Sequence, residues 1–188
     1  PPGHHALRAG GMGFCLFGNV ALAARYARTR HALDRVLIVD WDVHHGNGTQ
    51  AIVEHDPQIR FVSMHQWPWY PGTGAADDRG PHGSIWNVPM RAALPPGRYV
   101  EALEGAVDAA TADGFRPDLL LISAGFDSLR GDPLGGFTLE LEHVDYLTRA
   151  MVERAESWCG GRVVSALEGG YAPQRVGEGC VVHMRGLL

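Results

Sequence analysis

The 188 residues are 45% hydrophobic and 20% charged, the balance of a globular chain that buries about 70% of its unfolded surface in one domain, residues 1–188. The net charge is −5 and the 16 basic residues, all arginine, form no stripe, which argues against direct nucleic-acid binding. Cys15, Cys159 and Cys180 show no CxxC spacing and no apolar run approaches the roughly 20 residues of a membrane span; a disulfide framework, a thiolate zinc site and a membrane are set aside in favour of a reducing cytoplasm.

In chain order, the first expected element is a helix near Leu16 to Arg28. Apolar runs rich in β-branched residues then predict strands near Val36 to Asp40 and Arg60 to Met64. Pro68, Pro71, Pro81 and the glycines between Gly72 and Gly97 mark a long loop region after them. A helix near Tyr99 to Ala112, a strand near Leu119 to Ser123, a helix near Leu139 to Ser157 and a strand near Arg162 to Leu167 follow. The alternation predicts an α/β fold, a parallel sheet flanked by helices. No internal repeat, low-complexity tract or interdomain linker interrupts it.

The most informative stretch runs from Arg35 to Asn47, where a buried apolar run ends in Asp40, Asp42 and His44 at intervals of two. In an extended chain that spacing turns all three to one face. Two carboxylates and an imidazole make a poor core but a good cradle for a borderline divalent ion. The competing reading is a turn-capping Asp40 and an ordinary, partly buried His44, one of 10 histidines. Three further segments supply what a mononuclear hydrolase needs: Pro1-Pro2-Gly3-His4-His5, Ser123-Ala124-Gly125-Phe126-Asp127 and Leu167-Glu168-Gly169-Gly170-Tyr171. Asp42 and His44 follow the first predicted strand, Asp127 the third and Tyr171 the fourth. Ligands of open α/β sheets bind at the carboxyl ends of strands, so these groups are expected in one cleft.

With these segments the sequence resembles the histone deacetylase family, in particular its class II and bacterial branch, which includes the acetylpolyamine amidohydrolases. The resemblance also rests on Gly13-Phe14-Cys15, Asp40 through Gln50, Tyr70-Pro71-Gly72-Thr73-Gly74, Asn87-Val88-Pro89 and Gly131-Asp132-Pro133. It implies an arginase-like, three-layer α/β/α fold and a zinc-dependent hydrolase of the acetamide of N-acetyl-lysine-type substrates. Asp42, His44 and Asp127 are the implied zinc ligands, and so hard a donor set also suits Fe2+, Mn2+ or Co2+. His5 is the implied general base and acid, oriented by Asn47, while His4, oriented by Asp40, tunes the site. Asn47 stands where class I relatives carry Asp, so it should raise the basicity of His5 less. Tyr171, after Gly169 and Gly170, is the implied donor to the oxyanion. Gly13, Phe14, Tyr70 and Leu134, with the two glycines, are the implied substrate contacts, and Trp67 and Trp69 are candidates for the mouth. A structural potassium ion is implied over Asp40, Asp42 and His44 with Ser63 and Met64.

Alternatives from other classes stay open. A binuclear manganese ureohydrolase needs a second Asp-rich site, and Asp127 is followed by Ser128-Leu129 with no carboxylate two positions on. A non-catalytic binding module would be favoured if a ligand or the tyrosine were missing. Family members carry a substantial portion before the Pro-Gly-His-His motif, so the resemblance implies a fragment, and an inert metal-binding piece is the third alternative. Substrates range over protein acetyl-lysine, acetylated polyamines and other small acetylamides, with acetyl-lysine favoured; the oligomeric state is left open.

Overall fold

Strand β1 (Val36–Asp40) is buried along its whole length, which requires covering layers on both faces of the sheet. A computed structural model describes residues 2–188, and Pro1, which opens the Pro-Pro-Gly-His-His segment, lies outside them. The elements are α1 (Asn19–His31), β1, α2 (Asn47–Val53), β2 (Ile59–Gln66), β3 (Ile85–Met90), α3 (Pro96–Ala109), β4 (Leu119–Ala124), α4 (Leu141–Cys159), β5 (Val163–Leu167) and α5 (Pro173–Leu187). The five strands form one sheet in the order β3-β2-β1-β4-β5, every neighbouring pair parallel.

Alternation along the strands divides the core in two. Val36 and Ile38 of β1 and Leu119 and Leu121 of β4 pack with Val20, Ala21, Ala24 and Ala27 of α1 and Ile52 and Val53 of α2. Leu37, Val39, Leu120 and Ile122 face the other way, into Tyr99, Leu103 and Val107 of α3 and the inner face of α4. The result is the expected three-layer α/β/α architecture. Each fully buried aliphatic side chain contributes about 1.5–3 kcal/mol, so the apolar body of β1 anchors the charged residues that follow it.

Three elements depart from the expectation. β3 lies inside the stretch read as a loop; it is an edge strand, and Pro89 is tolerated there because no neighbour needs its missing N–H. α2 is a short helix beginning with the weak helix formers Asn47-Gly48-Thr49. α5 begins with Pro173 at its first turn and contains Gly177, Gly179 and Gly186, which mask it in the sequence; it is held by tertiary contacts such as His183 to Thr148 Oγ1 at 2.7 Å. α1 starts three residues later than predicted because Met12 to Cys15 form a closed turn before it, with Gly18 as its cap.

The strand order also fixes where a site can form. From the central β1 the chain moves outward through β2 to β3, then returns to lay β4 on the opposite side of β1. The reversal falls between β1 and β4, whose carboxyl ends are Asp40 and Ala124, and connections leaving in opposite directions open a crevice there.

Candidate metal centre and active site

Both sides of that crevice carry candidate ligand groups. β1 ends at Asp40, so Asp42 and His44 lie in the bent segment after it, not on an extended strand, and hydrogen bonds bring them together. Asp40 Oδ1 accepts the Asp42 N–H at 3.1 Å, and Asp42 Oδ1 accepts the His44 N–H at 2.9 Å. From the turn after β4, Asp127 reaches across with Oδ1 accepting the Val43 N–H at 2.8 Å. Asp42, His44 and Asp127 are buried and offer ligand atoms all within 4.8 Å of one another.

Their charges do not balance internally. Asp127 Oδ2 is buried and receives no well-directed hydrogen bond, its contact being an ion pair with His44 Nδ1 at 3.2 Å. Burial, with the nearby Asp42 carboxylate, pushes the Asp127 carboxyl up to about 7. Burial works against a charge on His44, but Asp127 and Asp42 outweigh it and raise that imidazole to about 9. Such a donor set draws positive charge, and two carboxylate oxygens with one nitrogen fit a divalent cation. Gly169 completes the cradle: its N–H donates to Asp42 Oδ2 at 2.7 Å, and a Cβ there would stand 2.2 Å from Asp127 Oδ2.

The two histidines of the first segment sit beside this cluster. His4 Nδ1 is 3.0 Å from Asp40 Oδ2 and its Nε2 is 3.7 Å from Asp42 Oδ1. Burial opposes its charge, but Asp42 and Asp40 together hold its pKa well above the ordinary value. The Asp40 carboxyl is itself raised to about 7 by burial, His4 working against that rise. His5 Nδ1 is 2.7 Å from Asn47 Oδ1. Burial and the neighbouring His4 lower the His5 imidazole to about 4. The two rings are 4.0 Å apart.

Above the cluster opens a cavity of about 410 Å³ lined by His5, Gly13, Phe14, His44, Trp69, Tyr70, Leu134 and Tyr171. The structure thus brings together Gly13, Phe14, Tyr70, Leu134 and Tyr171 with His5 and the candidate ligand His44; Gly169 lies deeper, against the carboxylates, and Gly170 leads into Tyr171. Trp69 joins the wall, its indole N–H donating to the Leu134 carbonyl at 2.9 Å, whereas Trp67 is not among the lining residues. Burial and the Asp42 charge raise the Tyr171 phenol, which keeps it a donor. Of the potassium candidates, Asp40 and Ser63 face each other on β1 and β2 with Met64 next along β2, Asp42 and His44 follow β1, and all five are buried.

Two residues that organise the site lay inside quoted motifs without an assigned role. Glu168 Oε2 accepts the backbone N–H groups of Gly3 at 2.6 Å and His4 at 3.0 Å, while Oε1 accepts the Ser123 hydroxyl at 3.1 Å. Asp132 accepts the N–H of Tyr171 at 2.7 Å and that of Leu134 at 2.8 Å, one carboxylate holding two walls. A carboxylate inside a motif was the only available signal for either; acceptors of backbone N–H groups have no spacing rule.

A family model described as the histone deacetylase domain matches residues 1–187. An uncharacterized protein of Synechocystis sp. is 46% identical over 188 residues, all of this chain and 60% of that protein. Histone deacetylase 10, chloroplastic, of Oryza sativa subsp. japonica is 47% identical over 177 residues, 91% of this chain and 39% of that protein. The crystal structure of the HDA15 HD domain matches with a TM-score of 0.89 at 39% identity, over all of this chain and 55% of that one. The chain therefore spans 60% or less of the length of each of these relatives.

Proposed function

The chain belongs to the histone deacetylase family, and from that membership and the site geometry we propose that it is a metal-dependent amidohydrolase acting on the acetamide of N-acetyl-lysine-type substrates. The observation that carries the proposal is the buried trio Asp42, His44 and Asp127, whose ligand atoms lie within 4.8 Å of one another beside a cavity that His44, His5 and Tyr171 line. Asp42, His44 and Asp127 would hold the ion, zinc as in the family, with Fe2+, Mn2+ and Co2+ compatible with the same donors. A divalent ion there supplies polarisation of the amide carbonyl and lowers the pKa of water toward roughly 7.

The remaining steps belong to the chain. His5, neutral above about pH 4, takes a proton from the attacking water and returns it to the departing amine. His4, its charge favoured by Asp42 and Asp40, tunes the field beside it. The Tyr171 hydroxyl donates to the developing oxyanion, a contact worth on the order of 10²- to 10³-fold in rate. Phe14, Tyr70 and Leu134 wall the aliphatic arm, and Gly13 leaves room for the His5 ring, since a Cβ there would lie 2.2 Å from His5 Cδ2. A structural potassium ion over Asp40, Asp42, His44, Ser63 and Met64 belongs to the same proposal. Three free thiols fit a reducing compartment, for which we propose the cytoplasm, and among the described residues no helix is long and apolar enough to cross a membrane.

A second reading has its own support: the aromatic walls Phe14, Trp69, Tyr70 and Tyr171 offer ring faces that attract a cationic arm, as an acetylated polyamine would present. The test compares hydrolysis of a fluorogenic acetyl-lysine peptide and of an acetylated polyamine by the zinc-loaded protein and its Tyr171→Phe variant. Turnover of the peptide, lost by about 10²-fold or more in the variant, supports the first reading. Turnover of the polyamine alone supports the second, and no turnover of either by metal-bound protein rejects both.

A further inference from the structure

His5 can act as a base only if Nε2 carries its lone pair, which requires the ring proton on Nδ1. Its Nδ1 faces the side chain of Asn47 at 2.7 Å. A carboxylate would settle the tautomer, because both its oxygens accept; an amide has an accepting and a donating side, and the wrong one would move the ring proton to Nε2. Something must orient that amide.

The Asn47 Nδ2 donates to Met12 Sδ at 3.5 Å. A thioether has lone pairs and no hydrogen, so it receives an NH₂ group and repels a carbonyl oxygen. Met12 is not free to leave. Its N–H donates to the Cys15 carbonyl at 3.1 Å and its carbonyl accepts the Cys15 N–H at 2.8 Å, closing the turn. Cys15 Sγ in turn accepts the His5 N–H at 3.4 Å, which fastens the turn to His5 itself.

We propose that Met12 is a positioning residue: its thioether orients the Asn47 amide with Oδ1 toward His5, and so holds His5 in the tautomer with Nδ1 protonated and Nε2 bare. Its kinetic consequence rests on the proposed role of His5 in deacetylation, whereas the tautomer itself does not. Met12→Leu keeps the volume and removes the acceptor. Tautomers are read from the imidazole ¹⁵N shifts of the full chain, His5 being assigned from the His5→Gln variant, and kcat and KM from peptide hydrolysis.

The expected result is a single Nδ1–H tautomer for His5 in the wild type and a mixture in Met12→Leu, with kcat lower by about fivefold at unchanged KM. In an Asn47→Asp background the same Met12→Leu change should alter neither, because a carboxylate accepts on both sides. An unaltered His5 tautomer in Met12→Leu, or an equal loss of kcat in the Asn47→Asp background, would overturn the assignment, the latter marking Met12 as packing only. If no form turned over the peptide, the wild type included, the deacetylase reading would fail while the spectra still decided the role of Met12.

Discussion

Asp127 is destabilised by its own environment, and that gives its substitution two opposite consequences. Burial and Asp42 disfavour its ionised form, and one of its oxygens receives no well-directed hydrogen bond. Asp127→Asn therefore removes a like-charge contact from the metal-free protein, which should melt no lower than the wild type. Metal affinity, read by calorimetric titration, should fall by more than about 100-fold, since loss of outer partners alone commonly costs 10- to 100-fold. A variant that melts lower without metal and still binds it tightly would remove Asp127 from the centre. His183 offers a second test at this scale. Burial lowers it to about 4, with Thr148 Oγ1 and Ser165 Oγ on its two nitrogens at 2.7 and 2.8 Å. Because the folded pKa lies below the ordinary 6.5, its contribution to stability is complete above pH 6.5 and is lost as the pH falls toward 4. Against His183→Gln, the wild type should lose stability more steeply across that window, by up to about 1.4 kcal/mol per pH unit in denaturant titrations. Parallel curves would refute it. At this scale the candidate ligand trio was legible as a cluster because carboxylates and imidazole at the end of an apolar strand have few other uses, while Glu168 and Asp132 were not, since each acts by accepting backbone N–H groups.

Among the elements, the three inner strands β2, β1 and β4 were legible because buried parallel strands read as continuous β-branched runs, and the edge strand β5 was legible from its apolar run although it is only partly buried. β3, α2 and α5 were not: each carries proline or glycine that local propensity counts against it, and each is held by neighbours distant in sequence. Where the elements meet, Glu168 at the end of β5 fastens the first segment of the chain to the sheet through two backbone N–H groups and Ser123. Its removal in Glu168→Ala leaves those donors unpaired in the interior, at about 1–3 kcal/mol each. Amide exchange of residues 3–15 should accelerate well beyond that of β1 and β4, and hydrolysis should collapse because His4 and His5 ride on this segment. Metal affinity should stay within a few-fold, since no ligand is altered. Unchanged protection of the first segment would show that another contact holds it.

Considered whole, the molecule places its candidate ligands by topology. The reversal of strand order between β1 and β4 sets Asp42 and His44 on one side of the crevice and Asp127 on the other, while the segment after β5 closes it through Gly169. An ion held there would tie two separate stretches of chain, after β1 and after β4, and be bound only when both are in place, so binding energy becomes folding stability. At a metal concentration of about 100 times Kd the gain is about 2.7 kcal/mol. For a chain of 188 residues that corresponds to a rise in Tm of about 5–10 °C over the chelated protein. Asp127→Asn should abolish the rise, and Tyr171→Phe, which changes no proposed ligand, should keep it. An equal rise in all three chains would mean that the ion binds elsewhere, and the crevice at the switch of strand order would lose its claim to be a metal centre.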